Sequence, residues 1–483
     1  MSVKRLSKLA GIMLVLLVTG CSENSNRPLS DATVEPAAVS LNRALIDTIE
    51  QNTGESFIAL IMPASNDYGN IPQDPNNPLS DEKVALGKLL YHDTGFSTEG
   101  NSNEEFSWSC ATCHHAAAGF KAGIPQGIGE GGQGFGEDGS ERTLSPLFNG
   151  DAPENSPQHP DLQPFASPTV VNTAYQDVML WNGQFGNAIG SINSGIDESI
   201  LMTPDTPKEA NSQRLSGLET QALAGLGVHR MRVTDNSVLQ TSPTYIEMFQ
   251  AAYGDDTGDV KLNAAKAIAA YERTVLSNQS PFQLWLNEQT TSNGIVGSTT
   301  MSESELRGGI VFFGKGGCAQ CHRGPALSSK HGANENEMFM AIGFNDLDTQ
   351  NNPRAHGEVK LSDSQGRGGF TTAAEMEYSF KIPQLYNLSD TNVFGHGASF
   401  SSIREVLDYK NRAVPQSNID TNLLDPRFTP LGLTEAELDD LERFLSDSLH
   451  DPNLTRYQPD LVPSGHCIIV DPLTLDDNEF CNP

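Results

Sequence analysis

The sequence predicts a mainly α-helical protein built from two related halves, and three observations predict it. Leu262–Leu276 carries Ala and Ile at helical spacing with no Gly or Pro inside. Three boxes, Ser302-x-x-Glu305, Ser402-x-x-Glu405 and Thr434-x-x-Glu437, mark helix starts, because hydroxyl and carboxylate each accept from an otherwise orphaned backbone N–H. One pattern, Cys-x-x-Cys-His, occurs twice, as Cys110-Ala111-Thr112-Cys113-His114 and Cys318-Ala319-Gln320-Cys321-His322, 208 residues apart. Strand-like alternation is scarce. The halves share the motif and little else, a weak internal repeat.

In chain order, a basic start (Lys4, Arg5, Lys8) leads into an apolar run from Leu9 to Val18. Residues 1–20 therefore read as a secretory signal, too short for an ordinary membrane span. Its end, Leu17-Val18-Thr19-Gly20-Cys21, resembles a bacterial lipobox, in which the Cys is lipidated and becomes the mature N-terminus. A plain cleaved signal with a Cys nearby is the alternative. Residues 21–75 read as a polar, Pro-containing tether with a short helix at Leu41–Glu50. Leu79-Ser80-Asp81-Glu82 then opens a helix through Val84, Leu86, Leu89 and Leu90. Residues 121–165 are rich in Gly and Pro and must be loop. After the Leu262–Leu276 helix, the Ser302 box leads into the second Cys motif. The Thr434 box opens Glu435–Leu449, with Leu438, Leu441, Phe444 and Leu445 on one face.

The repeated pattern is the one that attaches c-type haem. Its two thiols bond to the porphyrin edge, and its His supplies a nitrogen to the iron. A zinc site would leave the two His with no shared role, and a redox dithiol does not need them. The fold expected is thus mainly α, with two cytochrome c-like haem domains and long loops. The domains are 76–290, 291–450 and a tail at 451–483. Of seven Cys, four serve the motifs and Cys21 ends the signal. Cys467 and Cys481 bracket a polar tail in an oxidising compartment, which favours a disulfide over two free thiols. The 30 basic and 61 acidic residues give a net charge of −31. That charge argues against a nucleic-acid partner. It suits a positively charged electron carrier, or reflects a saline habitat.

Further stretches give the chain a family resemblance. They are Leu86-Gly87-Lys88-Leu89-Leu90-Tyr91, Ser167-Pro168-Thr169-Val170-Val171-Asn172, Trp181-Asn182-Gly183 and Ala270-Tyr271-Glu272-Arg273-Thr274. Lys381-Ile382-Pro383-Gln384-Leu385-Tyr386-Asn387 and Phe394-Gly395-His396-Gly397 continue the series. Together with the Cys motifs, and in this order, they resemble bacterial di-haem cytochrome c peroxidases and their methylamine-utilisation relatives. The resemblance implies that peroxide reacts at the N-terminal haem, that the C-terminal haem handles electrons, and that Trp181 carries electrons between them. It implies a catalytic Gln, matched by Gln221. Where many relatives have a distal His, this chain has Glu130, so the N-terminal iron is expected to be open. The family's catalytic Glu is replaced by the stretch Val228-His229-Arg230-Met231, which makes His229 and Arg230 candidates to move protons and stabilise the leaving oxygen. The C-terminal distal ligand should fall about 14 residues after His396, which lands on Lys410. Relatives use Met or Tyr there; no Met is near, and Tyr409, one residue earlier, is the expected ligand, which would stabilise the ferric state and lower the potential. His396 is expected to order a loop between the domains, and His115 to face away from the haem. The family's calcium ion is also implied, with Thr391 matching one backbone ligand and no match for its Asn ligand.

Two function classes follow. The first is a periplasmic, lipid-anchored di-haem oxidoreductase that reduces hydrogen peroxide. Its electrons come from a small cytochrome c or cupredoxin, or from a side chain of a partner protein. The second is a non-catalytic di-haem electron carrier, which normally has no open iron position.

Overall fold

Two helix crossings organise the core, and each is made possible by one glycine. The computed structural model describes residues 37–97, 107–134, 142–154, 156–204, 206–233, 237–254, 258–291, 300–329, 332–466 and 468. Its principal helices are α1 (Ala37–Thr53), α2 (Asp81–His92), α3 (Gly217–Val228), α4 (Val260–Thr274), α5 (Pro281–Thr291), α6 (Glu303–Phe313), α7 (Ile403–Arg412) and α8 (Glu435–Arg443). Strands are confined to two-residue antiparallel pairs, Gly132–Gln133 with Thr143–Leu144 and Phe339–Met340 with Phe380–Lys381. The mainly α expectation is met, and the segment from residue 121 to 165 is largely loop. From Ala37 onward the chain forms one compact unit.

Helices α2 and α4 cross at Gly87, where a Cβ would lie 1.8 Å from the Ala267 carbonyl oxygen. Helices α6 and α8 cross at Gly308, where a Cβ would lie 2.0 Å from the Asp440 carbonyl oxygen. Each crossing stands just ahead of one Cys motif. The parallel continues beyond the motifs. Asn172 and Asn387 each follow a Pro by four positions. Both adopt left-handed backbone, at φ 61° and 56°. Each amide donates to a carbonyl beyond the C-terminal end of the second crossing helix, Asn172 to Val275 and Asn387 to Leu449. Each Asn is followed by a tight turn closed by a single bridge, Met179 with Phe185 and Phe394 with Phe400. Ser277 joins the two, its amide donating to Asn172 Oδ1 at 3.0 Å and its hydroxyl to Asn387 Oδ1 at 2.7 Å. The internal repeat is therefore deeper than the shared motif suggested.

Helix α1 contains the short helix expected within the tether, and it is a packed element. Leu45 and Ile49 are fully buried, Leu45 lies against Gly309 of α6, and Asn42 accepts from Trp285 Nε1 at 2.9 Å. The tail also folds back. Tyr457 donates to the Leu276 carbonyl at 2.7 Å, and Ser464 to Asp93 at 2.5 Å. The signal, Cys21, Cys467 and Cys481 lie outside the described residues, so lipidation and the disulfide stay as expectations.

The capping boxes at Ser302 and Thr434 form with both reciprocal hydrogen bonds. The Ser402 box forms by half. Ser402 accepts from the Glu405 amide, but the Glu405 carboxylate turns to the amide and hydroxyl of Ser401.

Candidate haem sites

The first Cys motif lines the principal cavity, about 1410 Å³ of space counting its open mouth. Ser109 precedes the helical turn Cys110–Cys113, and its amide donates to the Thr112 hydroxyl at 2.8 Å. His114 Nδ1 hydrogen-bonds the Phe120 carbonyl at 3.3 Å, which leaves Nε2 for a metal. Burial pulls its imidazole down to about 4, so it is neutral and ready to ligate. Burial pushes the Cys110 and Cys113 thiols up to about 12. Thiols so poorly ionised are unlike those of redox dithiols. A side chain on Gly127 would come within 3.0 Å of Cys113 Sγ, so the cradle needs glycine there. Among the described residues, no three His, Cys, Asp or Glu side chains gather as a metal site, so the two Cys pairs do not form one zinc centre. A large cavity with thiols and a neutral, backbone-oriented His on its wall fits a covalent haem.

The rest of the wall carries Gln221, His229, Asp161, Glu272 and Trp181. His229 Nδ1 lies 2.7 Å from Asp161 Oδ2, and the Asp161 side chain is only 4% exposed. Burial pulls the His229 proton affinity down, but the Asp161 charge and hydrogen bond outweigh it, and the net shift is upward. Glu272 is pushed up to about 8 by burial and then by the charge of Glu219, partly offset by Arg273. Arg273 and Glu219, both buried, form a bidentate pair at 3.0 and 2.6 Å that clamps α3 to α4 beside the cavity.

Two expected residues are not on that wall. The Arg230 guanidinium pairs with the Glu130 carboxylate and donates to the His159 carbonyl at 3.2 Å. Arg230 takes φ 53°, which turns its side chain off the line of α3 and away from His229. Glu130, which stands where a distal His would be, and Arg230, the candidate to stabilise the leaving oxygen, pair with each other and are not among the residues lining this cavity. Asp161, which takes the place given to Arg230, lies 68 positions from His229 in a Gly/Pro-rich loop and carried no sequence signal. Glu272 lay inside a quoted motif, without a role.

At the second motif, His322 Nδ1 hydrogen-bonds the Leu327 carbonyl at 3.0 Å and the Pro383 carbonyl at 3.1 Å. Burial pulls this imidazole down to about 4 and pushes Cys318 up to about 11. Tyr409 does not present its hydroxyl here. It donates to the Ile342 carbonyl, and its ring is boxed by Phe344, Phe400 and Phe428 at 5.1, 5.2 and 5.4 Å.

Trp181 lines the first cavity. Its Nε1 donates to the Ala166 carbonyl at 2.9 Å, and its ring meets His396 edge-on at 6.2 Å. His396 stacks on Phe380 at 3.7 Å and hydrogen-bonds Asp346 at 3.1 Å. The Trp181 carbonyl accepts from the Lys381 amide at 2.7 Å. Two residues further on, the Pro383 carbonyl meets His322 Nδ1. One hydrogen bond and a three-residue segment thus connect the first cavity to the second motif His. His115 is buried at 1% exposure and does not line the cavity.

Two sites of this chemistry in one mainly helical chain are what a di-haem c-type protein requires. Residues 81–291 match the family model described as di-haem cytochrome c peroxidase. It is 24% identical over 385 residues to the methylamine utilization protein MauG of Methylorubrum extorquens, covering 79% of this chain and 82% of that one. It is 28% identical over 417 residues to the cytochrome-c peroxidase IdrP1 of Pseudomonas sp. strain SCT, covering 80% and 88%. A solved MauG-like protein associated with microbial copper homeostasis shares the fold, with a TM-score of 0.54 at 21% identity, covering 81% of this chain and 95% of that one.

Proposed function

We propose that the protein carries two covalent c-type haems and reduces hydrogen peroxide, drawing electrons from a small redox protein or from a side chain of a partner protein. The observation that carries this reading is the His229–Asp161 pair, 2.7 Å apart, on the cavity wall that also holds His114. The haem, when bound, supplies the electrons that cleave the O–O bond. His229 has Nδ1 engaged by Asp161, which leaves Nε2 to take a proton from peroxide and return it to the departing oxygen. Gln221 offers an amide to orient the bound peroxide. Trp181 and the Lys381–Pro383 segment support the passage of electrons from the second site. The signal-like start and Cys21 support a periplasmic, lipid-anchored location. A calcium ion stays a family-based proposal without a side-chain cluster behind it.

The test is a pyridine haemochrome count followed by peroxide addition to the oxidised protein. The expected result is two haems per chain, one of them high-spin and reacting with peroxide without prior reduction. A purely low-spin spectrum with no reaction would make His229 an iron ligand and turn the chain into an electron carrier.

A further inference from the structure

We infer that the Lys121 ammonium takes the place of the calcium ion that the family resemblance implies, so that a side-chain cation and not a metal joins the two halves of this chain. The inference rests on that resemblance for the position at Thr391, and it goes beyond the peroxidase reading. Lys121 closes the loop after the first Cys motif, where its carbonyl accepts from the His115 amide at 2.9 Å. Its Nζ reaches across to the second half and donates to the Val393 carbonyl at 2.8 Å, two residues after Thr391. It also stands 5.5 Å over the Phe394 ring. The two loops run close together there: a Cβ on Gly119 would lie 2.9 Å from the Asn387 carbonyl oxygen.

The oxygens around Thr391 do not fit a calcium ion. Calcium gathers about six to eight oxygen ligands around itself. The neighbouring carboxylate, Asp390, is already held at both oxygens, by His450 Nε2 at 2.8 Å and by Asn387 Nδ2 at 2.8 Å. The Thr391 hydroxyl accepts from the Val393 amide at 3.1 Å. The Val393 carbonyl is taken by the ammonium itself. A dication set beside Lys121 would meet repulsion from it, with no free carboxylate to offset that repulsion. The ammonium has its own reasons to stay. Burial pulls it down to about 8, which leaves it charged at neutral pH. The Val393 carbonyl and the Phe394 ring face replace the water it gave up. A cation carried on the chain is also beyond the reach of chelators.

The test uses the holoprotein, purified without chelator. Elemental analysis should find no stoichiometric calcium. The melting temperature and the haem spectra should be the same in calcium chloride and in EGTA. Lys121→Ala removes the cation and opens the Val393 carbonyl. It should lower the melting temperature in EGTA, and added calcium should now raise it. Stoichiometric calcium in the parent, or a parent melting temperature that rises with calcium, would overturn the inference. So would a Lys121→Ala protein that melts like the parent or ignores calcium. Should that variant not fold, the parent's calcium content and response decide alone. Two haems by pyridine haemochrome in a calcium-loaded parent would overturn this inference and keep the di-haem reading, whereas a count of zero would overturn the di-haem reading itself.

Discussion

Replacing His229 by Gln tests the proton-transfer reading most directly. Gln keeps the approximate size and a hydrogen-bonding end, but it does not take a proton. A positioned acid–base group contributes about 10² to 10⁴ in rate. The peroxide step should therefore slow at least about 100-fold, or about 2.7 kcal/mol in the barrier. The structure limits any rescue. The other lining carboxyl, Glu272, is pushed up to about 8. At pH 7 only about one in ten such groups is ionised, so it is a weak substitute that improves above pH 8. The residual rate of the variant should rise through that range. Asp161→Asn separates orientation from charge. The parent His229 is raised above the ordinary His range by Asp161, so the parent rate should fall as pH drops through that raised value. Without the charge, burial alone remains, and the acid limb should move to lower pH. The same linkage affects stability. A raised folded value stabilises the protein below the unfolded His value, and this is lost as pH rises through the folded one. The assay is rapid mixing of oxidised protein with peroxide from pH 5 to 9, with the haem count as a folding control. A His229→Gln rate within about threefold of the parent, or an unmoved acid limb in Asp161→Asn, would refute the assignment.

Trp181→Phe should keep both haems and the first peroxide step, while turnover with an external donor falls at least about tenfold, or about 1.4 kcal/mol. Lower thermal stability with normal turnover would make Trp181 a packing residue that satisfies the Ala166 carbonyl. Cys21→Ser should move the protein from the membrane to the soluble fraction, and unchanged membrane association would remove the lipid anchor.

What the sequence revealed was local. Each Cys motif carries its chemistry within five residues, and the Ser302 and Thr434 boxes need only a single helical turn. What it concealed depended on backbone direction or long range. His229 and Arg230 are neighbours, yet the left-handed backbone at Arg230 sends them to different partners. Asp161 reaches His229 only after the loop has folded around the cavity. The depth of the repeat is hidden in the sequence because it rests on single residues, Gly87 with Gly308 and Asn172 with Asn387, separated by segments of unequal length. Helix α1 reads as polar tether until α6 and Trp285 are there to cover Leu45 and Asn42.

Trp181 and His396 each stand nine positions after the left-handed Asn of their own half, and the two rings touch. Such a contact between equivalent positions is what a two-fold axis produces in a symmetric dimer. Equivalent positions of the two halves thus meet at the bridge, as they would across such an axis. In a true dimer both positions would be bound to hold the same side chain. A single chain leaves them free to differ, one an oxidisable indole and the other an imidazole tied to Asp346. The bridge so has two unlike ends, a polarity that a symmetric dimer is unable to have.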